Sequence, residues 1–179
     1  AYVGDESGAR RWIGGSTRVV QAGGATVLPG LIDSHIHLMA GALIQRACSF
    51  GDVPLDAVQI APIIRDCAGR TPGAGWIVVT KLNAGAFQAD RRDLDAILQD
   101  RPLLLWSSDN HDGWINSAAL RLAGINRQTP DPPNGTIVRD HDGEPTGFLK
   151  ESALGLIYPL LPQPSAAERE RVLLPVLAD

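Results

Sequence analysis

The segment Leu103-Leu-Leu-Trp-Ser107 constrains the fold most. It is apolar without alternation, so neither face is made for water. A strand of that kind needs cover on both sides, as in a sheet flanked by helices. Neighbouring segments supply the helices. Residues 55–68 set Leu55, Val58 and Ala61 on one side, continued by Ile64 and Ala68. Pro62 lies inside this run and is expected to kink or divide it, because it lacks an N–H and crowds the preceding turn. Gly69 is the expected stop. Trp76-Ile-Val-Val-Thr80 reads as another short apolar strand. Asp90 can cap a helix running to about Gln99, with Leu94, Ile97 and Leu98 as its stripe, and Pro102 ends it. Strands alternating with helices predict an α/β architecture.

Flanking regions read differently. In residues 1–30, Arg18-Val-Val20 and Ala25-Thr-Val-Leu28 look like strands separated by Gly23-Gly24, the edge of a small β layer. Asn116 or Ser117 can cap a helix through Leu120 and Leu122 that Gly124 closes. Residues 130–135 form a loop. Thr136 to Leu149 reads as a hairpin turning at Asp142-Gly143. Ser165-Ala-Ala-Glu168 is a capping box opening a final helix that contains Pro175.

A net charge of −4 over 179 residues gives no reason to expect nucleic acid or an anionic membrane as partner. No apolar run approaches the ~20 residues of a membrane helix. The first residues lack the basic and apolar regions of a signal peptide, and an initiator Met is absent. Cys48 and Cys67 fit neither a CxxC pair nor a disulfide framework. They are expected to be reduced thiols in a cytoplasmic protein.

The chemistry concentrates in Leu28-Pro-Gly-Leu-Ile-Asp-Ser-His-Ile-His-Leu38. As a strand, this segment would put Leu31, Asp33, His35 and His37 on one face, and Ile32, Ser34, Ile36 and Leu38 on the other. Two histidines at i and i+2 are then roughly 6–7 Å apart along the backbone. Both imidazoles can converge on one ion at ~2.0–2.1 Å. Asp33 could orient a histidine through its second ring nitrogen. A lone His-x-His is weak by itself. The Pro-Gly turn, the apolar strand and the aspartate in phase strengthen it. His111 follows the 103–107 strand at its C-terminal end, where catalytic loops sit in barrels. Asp109 could orient His111 or cap the turn. Trp114 is open between pocket wall and core, and Asn116 reads better as a helix cap. His141, at the hairpin tip, reads as solvated, and Lys150-Glu151 as a solvated pair.

Three ordered motifs carry a resemblance. Val27 to Leu38 resembles the PG-x-[IV]-D-x-H-x-H opening of the amidohydrolase superfamily. Asp109 to Leu120 resembles the D-x-H-x-x-W-x-N-S-x-A-L segment of its YtcJ-like branch, amidohydrolase family 3. Asp131 to Leu149 resembles that branch's DPPGG-x-I-x-R-D-x-x-G-x-PTG-x-L hairpin. The resemblance covers about residues 15–155. It implies a metal-dependent (β/α)8 barrel preceded by part of a small β-sandwich, divided as residues 1–30 and 31–179 with an inserted hairpin region near 130–150. It implies hydrolysis of non-peptide carbon–nitrogen bonds, with His35 and His37 binding the first divalent metal, zinc by expectation. Asp33 would support them, and His111, Asp109 and Trp114 would line a pocket for a small amide-type substrate. A carboxylated lysine, two later histidines and a late aspartate complete the family's site further along. Lys81 precedes that lysine's motif and is not its counterpart. A barrel needs ~200–250 residues, so the chain is expected to be an N-terminal piece that is inactive alone. A homo-oligomer is allowed. A non-catalytic scaffold and an enzyme for esters or cyclic amides stay open.

Overall fold

A computed structural model of the chain describes residues 2–30, 32–85 and 87–178. Leu31, expected beside Asp33 and the two histidines, lies outside the described residues. The chain divides into two compact units, Ala1–Ile36 and His37–Asp179.

The first unit holds one helical turn, α1 (Glu6–Ala9), and a 3-10 turn at Arg10–Trp12. Asp5 caps α1 by accepting the Gly8 N–H at 2.7 Å. The strands expected at 18–20 and 25–28 do not form. Val19, Val20, Val27 and Leu28 are 52%, 75%, 79% and 72% exposed. Residues 32–37 are likewise irregular and exposed, not the strand that their alternation predicted. The physical reason is common to all three. Alternation says which face would be buried once a neighbouring strand exists, and a strand is held only by its ladder. None of these segments joins a strand ladder among the described residues.

The second unit is a six-stranded sheet with helices on it. In chain order come α2 (Leu38–Arg46), β1 (Cys48–Ser49), α3 (Ala57–Arg70), β2 (Ile77–Leu82), α4 (Arg91–Ile97), β3 (Leu103–Ser107), β4 (Asp112–Ile115), α5 (Ser117–Ala123), β5 (Gly135–Arg139), β6 (Pro145–Glu151) and α6 (Ala166–Ala178). The sheet order is β1-β2-β3-β4-β6-β5. β1, β2 and β3 are parallel, which requires the crossovers that α3 and α4 provide. β3–β4, β4–β6 and β5–β6 are antiparallel. The hairpin thus extends the main sheet through β6 on β4.

The leucines of β3 explain the layering. Leu103 and Leu105 face a core with Ile60, Ile64 and Cys67 of α3, Leu94 of α4, and Phe87 and Trp114. Leu104 faces the other way, onto Ile115, Ala119, Leu120, Ile137, Leu149 and Leu154. All three leucines are fully buried, each contributing about 1.5–3 kcal/mol through the water it leaves.

Local chemistry sets the helix ends. Asp56 caps α3 by accepting from Val58 N–H and Gln59 N–H, and Gln59 returns the bond to the Asp56 N–H at 3.0 Å. α3 runs unbroken through Pro62, against the expected kink or division. Pro62 sits on the exposed side of α3, as does Val58, whose carbonyl loses its usual partner and can turn to water. Arg101 is 9% exposed and donates to the carbonyls of Ala68, Thr71 and Gly75 at the end of α3. A cation there also suits the helix dipole.

Cys48 and Cys67 are joined in a disulfide, which corrects the expectation of free thiols. A separation of 19 residues hides the proximity. The β1–α3 crossover lays the helix back over the strand and brings the Cα atoms to 6.1 Å, inside the span that a disulfide needs. No helix among the described residues is long and apolar enough to cross a membrane.

Candidate active site

The loops beyond the C-terminal ends of β1 and β3 are joined by a side-chain hydrogen bond, and the second of them carries Asp109 and His111. Parallel sheets place ligand sites there because successive strands open the same end to the loops. After β1, Asp52 accepts a bond from the Ser108 hydroxyl. At the end of β2, Lys81 takes a positive φ of 59° where the register to β3 shifts. After β3, the loop from Ser107 to Asp112 is closed by its own hydrogen bonds. The Ser107 hydroxyl donates to Asp109 Oδ1 at 2.6 Å and accepts the Asp112 N–H at 2.9 Å. The same Asp109 oxygen accepts the His111 N–H at 3.1 Å. These bonds, the Ser107 hydroxyl first, hold the Asp109 carboxyl below the usual carboxylate range. Burial pushes Asp112 the other way, partly offset by Lys150.

His111 meets Glu151. The register pairs Asp112 with Lys150, so one step further sets His111 opposite Glu151. The Glu151 N–H donates to the His111 carbonyl at 2.7 Å, and Glu151 Oε2 lies 2.9 Å from His111 Nδ1. The carboxylate's hydrogen bond, then its charge, raises the His111 pKa. Glu151 pays for this place with φ 51° and ψ −126°, a region that a residue with a Cβ rarely adopts; such strain is of order 1–3 kcal/mol.

The expected site residues separate. Asp109 and His111 share the loop just described. Trp114 is in the core, 3% exposed, stacked on Phe148 at 4.2 Å and edge-on to Phe87 at 5.4 Å. Asn116 is fully buried. Its Oδ1 accepts from Leu103 N–H and from Ala119 N–H, the second bond capping α5, while Nδ2 donates to Leu98 and Arg101 carbonyls. Asp33 Oδ1 accepts the His35 backbone N–H at 2.9 Å, in the first unit. His35 and His37 are exposed, and the His37 carbonyl accepts the Gly41 N–H at the start of α2. Lys81 and Lys150 are exposed, and Glu151, read as solvated with Lys150, is engaged by His111. Only the β4–β6 register could have revealed that partner.

Two other places bring polar groups or open space together. At the hairpin tip, the donor atoms of Asp140, His141 and Asp142 lie within 4.8 Å of one another. Asp140 Oδ1 already accepts the N–H groups of Asp142 and Glu144, as a turn residue does, and His141 is solvated as expected. A cavity of about 390 Å³ lies between α2, β2, β3 and the segment before α6, lined by Leu43, Val78, Thr80, Trp106, Leu161 and Pro164 among others. It is mostly apolar, and the buried Trp106 Nε1 has no hydrogen-bond partner among the described residues.

Parallel strands under helices, with polar loops gathered at their C-terminal ends, define an α/β protein of the kind that keeps its chemistry at strand mouths. Known proteins give the family. The Amidohydro_3 profile, the amidohydrolase family, matches residues 18–177, and the chain belongs to that family. It is 33% identical over 167 residues to YtcJ of Bacillus subtilis (strain 168), covering 91% of this chain and 31% of the relative. It is 34% identical over 164 residues to the N-substituted formamide deformylase of Arthrobacter pascens, covering 88% of this chain and 30% of the relative. The chain therefore spans under a third of the length of these relatives. Among solved structures, an uncharacterized metal-dependent hydrolase from Pyrococcus furiosus shares the fold, with TM-score 0.51, 19% identity, and coverage of 81% of this chain and 28% of that one.

Proposed function

We propose that this chain is the metal-binding N-terminal part of a hydrolase that cleaves carbon–nitrogen bonds in small non-peptide amides. The observation that carries this reading is the pair His35 and His37, two residues apart within a chain that belongs to the amidohydrolase family. The likeness to an N-substituted formamide deformylase supports the bond type. In this reading β1 to β3, with α3 and α4 on one face, are early strands of a (β/α)8 barrel. Residues 1–30 belong to a small β domain completed elsewhere, and self-association is compatible with the fold. Cytoplasmic residence is part of the proposal.

The donor types fit a borderline cation such as zinc: two imidazoles, which bind as neutral rings. Both residues are exposed. Asp33 would steady the segment, through its bond to the His35 N–H. A divalent cation held there supplies Lewis-acid polarisation and makes water acidic enough to ionise near neutrality. The chain's own residues then have separate tasks. His111 and Asp109 offer hydrogen bonds to the substrate, and the Ser107–Asp112 loop keeps their spacing.

Zinc titration of the chain by calorimetry tests the ligand claim. The expected result is binding weaker than at a three-ligand site, abolished in His35→Ala/His37→Ala and unchanged in Asp140→Ala/His141→Ala. Uptake that survives the first double variant removes the claim. Profiling the complete protein on an N-substituted formamide, an ester and a cyclic amide tests the bond type, and preference for the ester would overturn it.

A further inference from the structure

We infer that Glu151 is a positioning residue for His111, holding its imidazole by Nδ1 so that Nε2 is presented to the substrate at the mouth of β3. This rests on the reading above, in which His111 faces the substrate. Glu151 grips His111 twice: its N–H takes the His111 carbonyl at 2.7 Å, and its carboxylate takes Nδ1 at 2.9 Å. Both side chains stand more than half exposed, at 62% and 57%. An exposed pair of this kind adds little to folding, yet Glu151 keeps a backbone conformation that costs more than such a pair returns. Strain retained for an interaction that stability does not need points to a task for the interaction itself.

The other side of the ring is prepared as well. Asn110, with φ 64°, turns the chain, and Asp109 fixes the His111 N–H from within the loop. His111 is thus held at its N–H, its carbonyl and Nδ1. Nε2 has no partner among the described residues. The carboxylate fixes which nitrogen carries the proton in the neutral ring, namely Nδ1, leaving Nε2 as acceptor; when the ring is charged, Nε2 donates. The raised pKa of His111 extends the charged form to higher pH.

The test combines a spectroscopic readout with kinetics. In the chain, nitrogen-15 spectra of the neutral His111 ring should show the Nδ1–H form. Glu151→Gln should shift the ring toward the Nε2–H form common in free imidazole and move its titration midpoint down. Glu151→Asp, which keeps the carboxylate, should restore part of both. In the complete protein acting on an N-substituted formamide, Glu151→Gln should lower kcat roughly tenfold or more with KM little changed, and the limb of the pH profile set by His111 should move down. An unchanged tautomer and midpoint in Glu151→Gln overturns the positioning role whatever the activity. A changed tautomer with unchanged kcat and pH profile overturns its use in the reaction. If His111→Ala is itself fully active, the underlying assignment of His111 has failed, and the proposal with it.

Discussion

Asn116 shows what one buried amide can hold together. It closes the N-terminus of α5, the start of β3 and the turn after α4 with four hydrogen bonds. Its removal leaves donors and acceptors in the core with nothing to meet. Asn116→Ala is expected to destabilise the chain by about 3–5 kcal/mol, since each buried group left unpaired costs about 1–3 kcal/mol; urea unfolding measures it. Asp109 makes a prediction on pH. Its folded pKa is lowered, by the Ser107 hydroxyl first. The grip it lends the loop is therefore complete above the unfolded value, about 3.9, and is lost as pH falls through the lowered folded value. The His111 amide resonance should move over that acid range. An amide signal flat down to the global acid transition would contradict the bond.

At the scale of elements, β1 is the instructive case. A strand of two residues has few ladder bonds of its own, yet Cys48 ties it to α3 through Cys67. Closing a loop of this size constrains the unfolded chain by roughly 2–4 kcal/mol. Reduction with dithiothreitol should lower the unfolding free energy by about that amount. Cys67→Ser should reproduce the loss without reductant, and an unfolding curve indifferent to reductant would refute the bridge. Several elements were legible because their signals are local. Asp90, Asn116 and Ser165 announce helix starts, Asp142-Gly143 announces its turn, and the apolar run at 103–107 announces a covered strand. Residues 18–20, 25–28 and 32–37 misled because alternation describes a face without supplying the neighbour that would bury it.

Across the whole molecule, the α/β plan and the family were readable from ordered motifs, whereas the contacts joining distant segments were not. His111 and Glu151 are 40 residues apart, and Ser108 and Asp52 are 56 apart. Each meeting depends on sheet register, which the sequence of either strand leaves open. The Cys48–Cys67 bridge has a consequence for the whole protein as well, because reducing compartments keep such pairs as dithiols. Alkylation trapping in intact cells is expected to find both thiols free if the proposed cytoplasmic residence is right. A protected bridge would place the protein in an oxidising compartment.

Gly147 lies opposite Ile115 when the β4–β6 register is continued by one residue. Its φ is 92°, and a Cβ there would stand 2.2 Å from the Ile115 carbonyl oxygen. The two strands thus touch main chain to main chain, with no side chain between them as a spacer. Four residues along each strand from this fulcrum stand His111 and Glu151. The gap across which those two side chains meet is consequently set by bare backbone, like the jaws of pliers whose opening is fixed at the rivet.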